Sequence, residues 1–154
     1  MSITGVSRLV ASGFGLGSAS RAPGTAASFA AALLGTPMPR AALGAVAALA
    51  AVGGWAAVQQ LPDGSDDPSW IVVDEFAGQW VAMLGARRGS VVDAALAFAL
   101  FRLFDGCKLG PVGWADRTGG MVGVMLDDLV AGAISAGLLA SARRATPRWS
   151  LWRW

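Results

Sequence analysis

Residues 41–62, AALGAVAALAAVGGWAAVQQLP, run for twenty-two positions without a charge. At about 1.5 Å of rise per residue, such a stretch crosses a hydrocarbon core of about 30 Å as one helix. A chain carrying it is constrained to bury that segment in protein or in lipid. The rest of the composition favours lipid: 55% of the 154 residues are hydrophobic and 14% are charged, with a mean hydropathy of +0.54. Ordinary globular domains carry about 25% charged residues. The length suits one domain, and residues 1–154 are read as a single unit. The net charge is +2 with the basic residues scattered, so no nucleic-acid groove is expected despite the basic balance.

Histidine and tyrosine are absent, and Cys107 is alone. These absences exclude phosphohistidine chemistry, a Ser-His-Asp triad, imidazole metal sites and an intrachain disulfide. Any chemistry runs on carboxylates, Arg, Lys, hydroxyls and backbone amides. The N-terminal residues lack a compact signal-peptide core followed by a cleavage site, so they are expected to be retained.

Apolar periodicity predicts further helices over 25–34, 70–86, 90–104 and 124–142, giving an all-α, compact helical membrane protein of about five apolar helices. Thr25 suits the N-cap of the first, and Pro37 and Pro39 end it. The linkers 61–69 and 110–120 are rich in turn residues, and the acids of the former, Asp63, Asp66 and Asp67, read as solvated. The tail from 141 to 154, SARRATPRWSLWRW, has the aromatic and basic character of a membrane interface.

Against this apolar background, two carboxylate pairs stand out: Asp74 and Glu75 in IVVDEFAGQW, and Asp127 and Asp128 in GVMLDDLVAG. Charges at membrane depth are costly unless paired or bound to a cation. If the five helices alternate in direction, Thr25, Ser28, Asp74, Glu75, Arg102, Asp105, Lys108, Asp127 and Asp128 all fall on one face. Arg102, Asp105 and Lys108 recur every three residues in FRLFDGCK and share a helix side, although Gly106 weakens its last turn. Carboxylate oxygens suit hard Mg²⁺, and Arg and Lys suit phosphate oxygens, so the set reads as a Mg²⁺-dependent phosphoryl site. The helix start in APGTAAS offers N–H groups and the Thr25 and Ser28 hydroxyls to an anion. Taken singly, Asp127 and Asp128 read equally well as helix caps, and Lys108 as a snorkelling cation. GFGLG at 13–17 does not satisfy the dinucleotide or P-loop pattern.

In order, GFGLGSASRAPGTAASFAAALLG, IVVDEFAGQW, FRLFDGCK and GVMLDDLVAG resemble the successive motifs of the phosphatidylglycerophosphatase A family, from about residue 13 to 137. Two local departures are LGPV after Lys108, where that family commonly carries proline, and Val122 within GGMVGVM. The resemblance implies Mg²⁺-dependent hydrolysis of the terminal phosphate of phosphatidylglycerophosphate to phosphatidylglycerol at the bacterial cytoplasmic membrane. It also implies roles for Thr25 and Ser28 with the phosphate, and for Asp74, Glu75, Asp127 and Asp128 as metal ligands. Arg102 and Lys108 then neutralise the phosphoryl group, and Asp105 orients one of them or adds a ligand. The competing expectation is a small ion-coupled transporter using the same intramembrane acids. The positive-inside bias of the alternating arrangement places the site outside, whereas the resemblance places it on the cytoplasmic side, the side adopted here.

Overall fold

The computed structural model describes residues 2–62, 64, 68–108 and 110–145, and among these all regular structure is helical. In chain order the helices are α1 (Ile3–Ala11), α2 (Leu16–Ala19), α3 (Pro23–Gly35), α4 (Arg40–Val58), α5 (Val73–Met83), α6 (Val91–Cys107), α7 (Pro111–Asp116) and α8 (Gly120–Ala145). The five expected helices are α3, α4, α5, α6 and α8. The short α1, α2 and α7 are additional, because Gly and Ser within them mask their periodicity. Acids 63, 66 and 67 of the linker and the tail beyond 145 lie outside the described residues.

The expectation of five comparable membrane helices needs correction: among the described residues, only α4 and residues Val122–Ala145 of α8 are long and apolar enough to cross a membrane. At 11 residues α5 reaches only about 17 Å, roughly half the hydrocarbon thickness. Helix α3 has 13 residues, and α6, with 17, also falls short of a full crossing. Short helices survive here because they pack on one another. Helix α5 sits centrally against α3, α4, α6 and α8. The Trp80 indole donates to the Ala31 carbonyl at 3.0 Å, fixing α3 on α5.

Small residues supply the core. Ala82, Ala94, Ala97 and Ala131 surround Met83 and Phe101 in one cluster, and Ala11 and Ala77 join Val58, Ile71 and Met125 in a second. Large apolar side chains point outward instead, with Leu49 72%, Val52 69% and Leu33 60% exposed. That inside-out distribution, small within and large without, matches helices packed in lipid rather than in water.

The N-terminal helices brace the entry to α5. The Val72 N–H donates to the Ala11 carbonyl at 2.9 Å, and Gly17 lies against the Trp70 carbonyl. GFGLG thus makes the turn after α1 and the first two residues of α2. At the far end of α5, Asp93 accepts from the Arg87 backbone and side chain at 2.9 to 3.0 Å, with Arg143 of α8 at 3.6 Å. This cluster ties the α5–α6 turn to the last turns of α8.

Candidate functional site

Four helices deliver the polar residues to one layer. Asp74 and Glu75 occupy the first turn of α5, where the helix dipole favours negative charge. Asp127 and Asp128 lie seven and eight residues beyond the start of α8, so they are interior residues, and the capping alternative does not hold. Both are buried, as is Asp74. Arg102 and Asp105 come from the end of α6, where helix continues through Gly106 to Cys107. Lys108 follows in the left-handed region (φ 46°), closing the helix through its N–H to the Phe104 carbonyl.

The acids form two groups. Oxygens of Asp74, Glu75 and Asp128 lie within 4.8 Å of one another, as do those of Asp105, Asp127 and Asp128, so Asp128 belongs to both. The backbone orients one member of each pair: Asp74 Oδ1 accepts the Glu75 N–H, and Asp127 Oδ1 the Asp128 N–H, both at 3.0 Å. Glu75 Oε2 is buried without a hydrogen-bond partner. Burial pushes the Glu75 carboxyl above its ordinary value, and the Asp105 charge adds to the shift against the hydrogen bond within the Asp74–Glu75 pair and the Arg102 charge.

The cations divide their work. Arg102 Nη1 sits 2.7 Å from Asp105 Oδ2, and the arginine also lines a cavity of about 420 Å³ with Gly24, Thr25, Ser69, Ile71 and Glu75. Lys108 reaches Asp127 at 2.9 Å and also pairs with Asp116 of α7. Burial opposes the charge on Lys108, but the hydrogen bonds to Asp116 and Asp127 outweigh it and raise its pKa. Thr25 opens onto the cavity at the start of α3, while Ser28 is fully buried and its hydroxyl donates to the Gly24 carbonyl at 2.7 Å. Of the nine residues singled out from the sequence, Ser28 and Lys108 are thus engaged by protein groups, and Thr25, Glu75 and Arg102 face the cavity.

Two participants were not legible beforehand. Asp116 looked like part of a glycine-rich linker, and only α7 turns it back onto Lys108. Gly24 looked like a helix-entry residue. A Cβ there would stand 2.2 Å from Glu75 Oε1 and 3.3 Å from Arg102 Nη1, so the glycine is what lets α3 close over the acids.

Helices with an apolar exterior, and a set of hard oxygen ligands beside an arginine-lined cavity, define a membrane-associated protein with a carboxylate cluster able to hold a cation. The chain belongs to the phosphatidylglycerophosphatase A family, whose profile matches residues 9–143. It is 39% identical over 138 residues to the phosphatidylglycerophosphatase A of Escherichia coli K12, covering 85% of this chain and 80% of that protein. A Bacteroides thetaiotaomicron protein provisionally named phosphatidylinositol-3-phosphatase is 37% identical over 146 residues, covering 88% of this chain and 92% of that one. No solved structure gives a significant match.

Proposed function

We propose that this chain hydrolyses the terminal phosphate of phosphatidylglycerophosphate, giving phosphatidylglycerol, in a Mg²⁺-dependent reaction. On this reading residues 1–154 work as one multi-pass unit in the bacterial cytoplasmic membrane, with the site towards the cytoplasm. The observation carrying it is the pair of carboxylate groups sharing Asp128 beside the cavity that Arg102 and Thr25 line. The E. coli relative's name supplies the substrate.

The residues fit a divalent cation. Asp74, Glu75, Asp105, Asp127 and Asp128 bring five carboxylates, of which Arg102 and Lys108 offset two, and Glu75 Oε2 is an orphaned buried oxygen. Such an excess of buried negative charge requires bound cations or protons. Asp74, Glu75, Asp127 and Asp128 would hold Mg²⁺, which when bound supplies positive charge against the phosphoryl oxygens and acidifies water.

The protein groups then do the positioning on which phosphoryl transfer depends. Arg102, held by Asp105, presents its guanidinium to the phosphate in the cavity. The Thr25 hydroxyl and the N-terminal N–H groups of α3 receive a second oxygen. Lys108, clamped by Asp116, fixes Asp127 rather than touching substrate, and Ser28 supports the α3 entry from beneath. Water attacks phosphorus, the P–O bond to the glycerol carbon skeleton's oxygen breaks, and the departing oxygen takes up the proton that water gives up. Nothing in the comparisons favours an ion-coupled transporter: both relatives are named as phosphatases.

The test is phosphate release from phosphatidylglycerophosphate by purified protein in detergent, with Mg²⁺, with chelator, and in Asp128→Asn. Chelator-sensitive release, reduced at least about a hundredfold in the variant, is expected. Release that persists in chelator would overturn the cation's role. A folded protein with no release under any condition would overturn the reaction itself.

A further inference from the structure

Beyond the polar cavity, the same two helices carry a separate apolar groove. One turn beyond Thr25 on α3 is Phe29, and one turn before Arg102 on α6 is Phe98. These rings meet edge to face at 6.0 Å between centroids. A further turn leads to Leu33 on α3 and to Ala94 and Ala95 on α6, around a cavity of about 330 Å³ that ends at Thr36, Pro37 and Val91. From Thr25 to Thr36 the rise is about 16 Å, which matches the roughly 15 Å depth of one hydrocarbon leaflet.

We infer that the α3–α6 groove seats one acyl chain of the phospholipid whose phosphate lies against Arg102 and Thr25. This deepens the proposed function and rests on it. The occupant is argued from alignment and charge: a cavity lined by Arg102 and Thr25 and an apolar trough further along the same pair of helices reproduce the amphiphile's own order of groups. The apolar cavity of about 590 Å³ between Leu34, Leu49, Phe76 and Trp80 is lined from α3, α4 and α5 and takes no residue from α6, the helix that carries Arg102. A groove aligned with the phosphate cavity distinguishes a substrate from solvating lipid, which needs no such alignment.

Two measurements test this on the full-length chain in detergent. The first compares kcat/KM for long-chain and dihexanoyl phosphatidylglycerophosphate in Ala95→Phe and Leu33→Trp, which fill the groove from exposed positions, and in Leu49→Trp, which fills the other cavity. The long-to-short ratio should fall about tenfold or more in both groove variants, given that each buried methylene counts for several-fold in affinity, and should hold in Leu49→Trp. An unchanged ratio in the groove variants, or a collapse confined to Leu49→Trp, overturns the inference. The second photolyses phosphatidylglycerophosphate carrying a diazirine on one acyl chain and maps the labelled residues. Labelling of 29–37 and 91–98, competed by the unlabelled phospholipid but not by its dephosphorylated form, is expected. Labelling elsewhere, or labelling competed equally by both lipids as bulk solvent lipid would be, overturns it. Groove labelling without phosphate release would leave the acyl-chain site standing and refute the hydrolytic reading instead.

Discussion

Gly24 separates a positional requirement from a chemical one. In Gly24→Ala the new methyl meets the far end of the Glu75 side chain, which can swing aside without backbone movement. Folding should therefore survive, with a melting temperature close to wild type, while phosphate release falls at least about tenfold because Glu75 leaves its place. Equal activity at equal stability would show that the Glu75 position is immaterial. Asp93 makes a contrasting residue, remote from the site. Burial alone would raise its pKa, but hydrogen bonds and charge from Arg87, with Arg143, outweigh this and hold it below its ordinary 3.8. A depressed carboxyl contributes stability that is present above its unfolded pKa and lost as pH falls through the folded value. Thermal stability should drop as pH falls from the unfolded value through the folded one, and Asp93→Asn should lower stability at neutral pH while removing this part of the acid dependence. The carboxylates of the site were legible because charge within apolar sequence is conspicuous. Gly24 and Asp116 were not, since their importance lies in what stands opposite them.

The crossing of α5 and α8 brings the acids into register. A Cβ on Gly132 would lie 2.3 Å from the Gly78 carbonyl, and one on Gly78 would lie 2.6 Å from that of Asp128. Both obstacles are backbone, so neither can be relieved by a rotamer change. Gly132→Ala should destabilise the protein by about 1–3 kcal/mol and also weaken Mg²⁺-induced stabilisation, because separating these helices parts Asp74 and Glu75 from Asp128. Loss of stability with unimpaired Mg²⁺ response would show that the two carboxylate pairs bind independently. At this scale the sequence located five helices by their apolar runs. It placed the start of the last one at 124, whereas α8 starts at Gly120, because four residues rich in glycine precede any periodic signal. That shift decides whether Asp127 and Asp128 cap a helix or project from its flank.

For the molecule as a whole, cation and proton compete for the same buried oxygens. With the Glu75 carboxyl raised above 4.5 by burial, the Mg²⁺-induced rise in melting temperature should shrink as pH falls from about 8 to about 5. In chelator the sign reverses: a raised carboxyl stabilises the fold below its unfolded pKa, and that contribution is lost as pH rises through the folded value. A Mg²⁺ response independent of pH would contradict the assignment of Glu75 as a ligand. The sequence by itself determined an all-helical chain with apolar surfaces, the conspicuous acids and bases of the proposed site, and the family, because these depend on composition, periodicity and local order. Only the tertiary structure decided that, among the described residues, two helices rather than five are long enough to cross a membrane while α5 sits short and central. It also decided that Asp128 is shared, that Lys108 is held by Asp116, and that an apolar groove lies along the same helices as the polar cavity. Those outcomes depend on distances between segments far apart in the chain, which periodicity along one segment does not encode.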